Sequence, residues 1–128
     1  TERLPPDRQR DLSAFYNNLS KIALLRNRPR EAFAWIDQAM SINRRFQNWH
    51  SQTYSLENAA RTHAALGNRQ AAEDSFRRAL TLARQLGSDN RVRDIYQSQS
   101  EAYEKLGDYR QALLFSRMFQ EKSDSVLN

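Results

Sequence analysis

His50 and His63 are the only histidines in the chain, and there is no cysteine. Disulfides, thiolate metal ligands and a cysteine nucleophile are therefore excluded. His63 falls on an apolar stripe, in the place of a helix-contact residue. His50 lies beside Trp49 in what reads as a connector, with no carboxylate or second histidine at metal-ligand spacing. The glycines, Gly67, Gly87 and Gly107, each stand alone at a helix end, so no glycine-rich loop can cradle a phosphate. No GxSxG turn occurs. The segment is expected to be non-enzymatic, with no cofactor and no metal.

What remains is charge. Basic residues outnumber acidic ones by 20 to 15, and 17 of the 20 are arginine. The excess sits in residues 1 to 50, with nine basic against five acidic side chains, and includes the stretch RNRPREA at 26 to 32. Such an end can attract nucleic acid or an acidic protein. Phosphate contacts need basic groups gathered on one surface. Here Arg26, Arg28, Arg30, Arg44, Arg45, Arg77 and Arg78 are interspersed with Glu31, Asp37, Glu73 and Asp74, which dilutes the field. Contact with nucleic acid or an acidic partner through this first third is the alternative reading.

The elements that would carry these residues follow from an internal repeat. Forty residues after RNRPREA comes LGNRQAA at 66 to 72, and forty after that LGDYRQA at 106 to 112, with Ala32, Ala72 and Ala112 in register. Tyr16, Leu56 and Tyr96 align in the same way, as do Ala23, His63 and Tyr103. In the last unit Val92, Ile95, Tyr96, Gln99, Ala102, Tyr103 and Leu106 follow a helical period, and Leu12, Phe15, Tyr16, Leu19, Ile22 and Ala23 repeat it in the first. Second helices are predicted from about residues 29, 69 and 109. Gly67 and Gly107 suit a left-handed helix end, and Asn27 is the next most tolerant type there. Asn68 and Asp108 are good N-caps, Arg28 is a poor one, and Pro29 and Glu31 suit a first helical turn. RNRPREA is thus first of all a tight interhelical turn.

The predicted fold is all-α, a right-handed superhelix of three helix-turn-helix units with a 40-residue period, at about 11–48, 49–88 and 89–125 of one domain spanning 1–128. Few glycines and prolines leave no room for a linker, and no apolar run approaches the roughly 20 residues needed to cross a bilayer. The chain starts with Thr1 and reads as a piece of a longer protein.

The turn pattern LG-[ND]-x-x-x-A before a second amphipathic helix, as in AYEKLGDYRQAL and RTHAALGNRQAAEDSFRRAL, resembles tetratricopeptide (TPR) repeats across residues 11 to 122. A 40-residue period also suits HEAT or armadillo arrays, but the LG turn and the aligned alanines favour TPR. The usual TPR unit is shorter, and the extra residues are expected in the second helix and connector of TLARQLGSDN at 81 to 90. The resemblance implies a concave groove lined by the first helix of each unit, binding a protein or peptide. In this register the groove residues are Asn17, Asn18 and Lys21, then Tyr54, Asn58 and Arg61, then Asp94, Gln97, Ser98 and Glu101, passing from basic to acidic. Lys21, Asn58 and Arg61 are similar to the carboxylate clamp of some TPR domains, but Asp94 and Glu101 would repel a carboxylate. ALLFSRMFQEKSDSVLN at 112 to 128 is similar to the last helix of TPR regions in bacterial sensor histidine kinases and related regulators. That likeness implies a sensory or scaffolding part of a signalling protein. Phe115 and Phe119 are expected to lack a covering helix, so that edge awaits more protein or another copy.

Overall fold

A computed structural model describes residues 4–127. Six helices follow in order: α1 (Pro6–Leu25), α2 (Pro29–Phe46), α3 (Trp49–Ala65), α4 (Arg69–Gln85), α5 (Asp89–Lys105) and α6 (Tyr109–Leu127). Among the described residues there is no strand. The helices pack as antiparallel pairs, α1 with α2, α3 with α4 and α5 with α6, and α3 leans on α1 and α2 as α5 leans on α3 and α4. This is an α-α superhelix of helix-turn-helix units.

All five connections use one device. Asn27, Gln47, Gly67, Gly87 and Gly107 have positive φ, and they recur every twenty residues. After each, the next N–H reaches back five residues, as in Arg28 N to Ala23 O at 2.9 Å and Asp108 N to Tyr103 O at 2.9 Å, while the left-handed residue's own N–H reaches back three. This satisfies carbonyls that a helix end leaves unpaired. The 81–90 segment is therefore no extended connector: α4 runs to Gln85 and α5 starts at Asp89. Trp49 and His50, expected in a connector, open α3, because Asn48 caps it by accepting from Ser51 N at 3.2 Å. Asp108 caps α6 in the same way, accepting from Gln111 N at 3.1 Å, whereas Asn68 makes no side-chain cap bond.

Left-handed backbone crowds a side chain against its own carbonyl. Gln47→Gly relieves that at φ 54° and is expected to raise stability by about 0.5–1 kcal/mol after the added chain entropy. Gly107→Val is expected to lower it by about 1 kcal/mol or more, from backbone strain alone, since a Cβ there meets nothing within 4 Å. Thermal melts of the two variants should move in opposite directions.

The two seams between pairs differ in chemistry. Between the second and third, Leu56, Phe76, Leu80, Val92, Ile95 and Tyr96 belong to one apolar core in which alanines such as Ala60, Ala72 and Ala79 let the helices close up. Between the first and second, a network of buried polar groups is added to apolar ones such as Ile36 and Ala39. Asn17 Nδ2 donates to Ser51 Oγ (3.2 Å), Ser55 Oγ donates to Asn17 Oδ1 (2.7 Å) and Asn58 Nδ2 donates to Ser20 Oγ (3.0 Å). Asn43 Nδ2 donates to Gln52 Oε1 at 2.8 Å and Ser55 Oγ at 3.0 Å, and Ser13 bonds Asn43 and Ser51.

The apolar stripe of α1 therefore splits. Tyr16 stacks on Trp35 at 5.5 Å within the first pair, and Ala23 is buried. Phe15 and Ile22 stay exposed, on the side of α1 opposite the seam residues Ser13, Asn17 and Ser20. At the other end α6 buries no residue fully; Phe115 and Phe119 pack on the core from one side, with Phe115 stacked on Tyr103 at 5.5 Å.

Candidate functional site

The helices α1, α3 and α5 line a concave face holding a depression of about 310 Å³. Helix α1 contributes Lys21, α3 contributes Tyr54, Asn58 and Arg61, and α5 contributes Asp94, Gln97, Ser98 and Glu101. Asn17 and Asn18, expected here, are not in its lining. Asn17 is buried because its side of α1 faces α3, where its amide is consumed by Ser51 and Ser55. Asn18 is exposed outside the depression. Asn58 reaches the lining while its amide donates to the Asn17 carbonyl at 3.2 Å, so its donors are already engaged.

Two lining residues were absent from the expected set, Glu57 and Arg91. Their side chains are 10% and 4% exposed. Arg91 Nη2 donates to Glu57 Oε1, Arg91 Nε donates to Thr53 Oγ1 at 3.0 Å, and Ser98 Oγ donates to Glu57 Oε2. The guanidinium lies 3.6 Å from the Tyr54 ring centroid, a cation–π contact that a planar cation suits. Glu57 and Arg91 thus neutralise each other in the floor. The 40-residue register pointed at Glu57, since it lies between Asn17 and Gln97, but a partner 34 residues away leaves no local signal.

Above that floor the remaining charges divide. Lys21, Arg61 and Lys105 surround an adjoining recess of about 170 Å³ walled by Leu24 and Leu25. Asp94 and Glu101 stand on α5, Glu101 at 3.7 Å from Arg61 and Asp94 accepting from Arg93 Nε at 3.0 Å. The groove therefore offers cations towards the C-terminal ends of its helices and an acidic flank on α5.

The arginine-rich segments do not gather into one patch. Arg26, Arg28 and Arg30 sit at the α1–α2 turn, while Arg44 and Arg45 lie at the far end of α2, roughly 20 Å away along a helix rising about 1.5 Å per residue. Among the described residues no three His, Cys, Asp or Glu side chains come together to hold a metal, and no helix is long and apolar enough to cross a membrane.

His63 packs on Phe33 at 4.7 Å between centroids, its Nδ1 buried without a partner, and burial lowers its pKa below the ordinary 6.5. Between the folded and unfolded values the unfolded chain binds more protons, so stability rises with pH. It is fully present above the unfolded value of about 6.5 and is lost as pH falls from there through the lower folded value. The urea midpoint should thus drop from about pH 7.5 to about 5.5, and His63→Gln should shrink the drop.

Residues 49–118 match a family model described as tetratricopeptide repeat, and residues 13–45 match a second of the same description. No curated protein and no solved structure matches the chain significantly. The matched stretches coincide with the paired helices and their left-handed turns, and the chain belongs to the tetratricopeptide repeat family, whose repeats generally mediate protein–protein interaction and are typically non-catalytic.

Proposed function

We propose that the concave groove binds an extended segment of a partner protein whose charge changes sign along its length. The observation that carries this reading is the gathering of Lys21, Arg61 and Lys105 around the Leu24–Leu25 recess while Asp94 lines the groove apart from it, with Glu101 between them beside Arg61. An acidic residue with an apolar neighbour fits the first end, and a basic residue fits the second. A stacked scaffold loses little freedom when such a segment docks. The reading is tested by fluorescence anisotropy with labelled peptides carrying acidic and basic blocks in either order. One order should bind, and Lys21→Glu combined with Lys105→Glu should weaken it by about tenfold or more. Equal binding of both orders, or of none, overturns it.

We further propose that the chain is the sensory or interaction part of a bacterial signal-transduction protein. The resemblance of residues 112–128, most of which form α6, supports this reading. A parent gene lacking any kinase or regulator module would overturn it.

A further inference from the structure

Two surfaces at opposite ends of the superhelix are left uncovered by the described residues, and the repeat register relates them. On α1, Phe15 is 54% and Ile22 44% exposed, flanked by half-buried Leu12 and Leu19. Forty residues on, the equivalent Gln52, Ser55, Ala59 and Thr62 are all buried, and forty further on so are Val92, Ile95, Gln99 and Ala102. The α1 stripe is thus the side by which each later pair sits on its predecessor. At the other end Leu113 is 54% exposed, whereas its equivalents Phe33 and Glu73 meet His63 and Tyr103 of the following helix.

The two internal seams use the same positions. Ser13 bonds Ser51, and forty residues on Thr53 bonds Arg91. Asn17 bonds Ser51 and takes the Asn58 amide, and Glu57 bonds Arg91 and Ser98. The second seam adds Arg61 to Glu101 at 3.7 Å and Arg84 to Tyr96 at 2.9 Å. Continued past α6 onto the α1 of another molecule, this pattern sets Arg93 against Asp11, Glu101 against Lys21, Asp124 against the Tyr16 hydroxyl and Gln97 against Asn18. Two of these pairings join opposite charges and a third joins a donor to a carboxylate. Arg93 already holds Asp94, Glu101 holds Arg61 and Asp124 holds Gln120, but a guanidinium and carboxylates retain further donors and acceptors.

We propose that a second copy of this chain docks by its α1 face on the α5–α6 end of the first, head to tail, continuing the superhelix in register. Lys21, Gln97 and Glu101 also line the groove, whereas Asp11 and Arg93 do not, so substitutions at those two separate this contact from peptide binding. Such a contact is heterologous and does not close on itself, so association runs beyond the dimer.

The test is sedimentation velocity of the wild-type chain from micromolar to millimolar concentration. The sedimentation coefficient should climb without a plateau at two copies. D11R alone and R93D alone should each lose that climb, because each sets like charges face to face, and both sites are at least partly exposed, so circular dichroism should stay unchanged. Mixing D11R with R93D should restore association, since every contact between the two variants again joins opposite charges. Phe15→Asp should abolish association in all combinations. A wild-type chain that stays monomeric overturns the proposal and leaves the α1 face to a different helix. A dimer that stops at two, or that ignores the charge swap, overturns it in favour of a symmetric contact through α6.

Discussion

Glu57→Ala will lower the free energy of unfolding by about 3 kcal/mol, towards the lower end of the range for breaking a buried ion pair. The loss comes less from the attraction removed than from the charge left behind. Without Glu57, Arg91 keeps Thr53 and the Tyr54 ring, and its nearest carboxylate is Asp94 at 3.7 Å, which is already shared with Arg93. Asp94 is the reason for expecting the lower end. Ser98 loses its acceptor as well. Replacing both charges, as in Glu57→Leu with Arg91→Met, should recover most of the stability, because well-packed apolar groups avoid the desolvation cost altogether. Urea unfolding with unchanged m-values would measure both. A single-variant loss below about 1 kcal/mol would mean that water reaches this pair in the folded protein.

Phe76→Ala will cost about 3–5 kcal/mol. Phe76 is buried in the apolar core shared by the second and third pairs, where several of its companions are alanines. Alanine has no side-chain freedom with which to fill a cavity, and the backbone is held on either side by paired helices, so little collapse can offset the loss. Phe119→Ala, at a half-covered site on α6, should cost no more than about 1 kcal/mol because the ring gives up less buried area. Equal losses for the two would show that α6 is covered in solution, and the comparison should be made at low protein concentration.

The turns at Asn27, Gly67 and Gly107 were readable because small or amide side chains tolerate left-handed backbone, and the spacing of forty follows from them. The turn at Gln47 was not, since glutamine carries no such mark, and the twenty-residue recurrence stayed hidden with it. The amphipathic stripe of α1 was visible as a pattern, but a pattern does not say which neighbour covers it. Polar residues at helical spacing read as a solvated face, which is how Asn17 was expected outward. It lies inward because Ser20, Ser51, Ser55 and Asn58 supply it with partners from two helices. Eight of the ten groove positions drawn from the register line the depression, all but Asn17 and Asn18, with Ser98 there as a partner of Glu57. The floor they stand on, Glu57 with Arg91, depends on a contact between α3 and α5 that no single helix encodes.

The hydroxyl and amide seam under the first helix pair has a calorimetric consequence. Wetting polar surface lowers the heat capacity of a protein, whereas wetting apolar surface raises it. Opening of that polar seam would therefore absorb heat with a smaller rise in heat capacity, while melting of the remaining four helices would carry most of the increment. The two ends of one superhelix would thus answer temperature differently, the polar seam more nearly linearly and the rest along a curved dome.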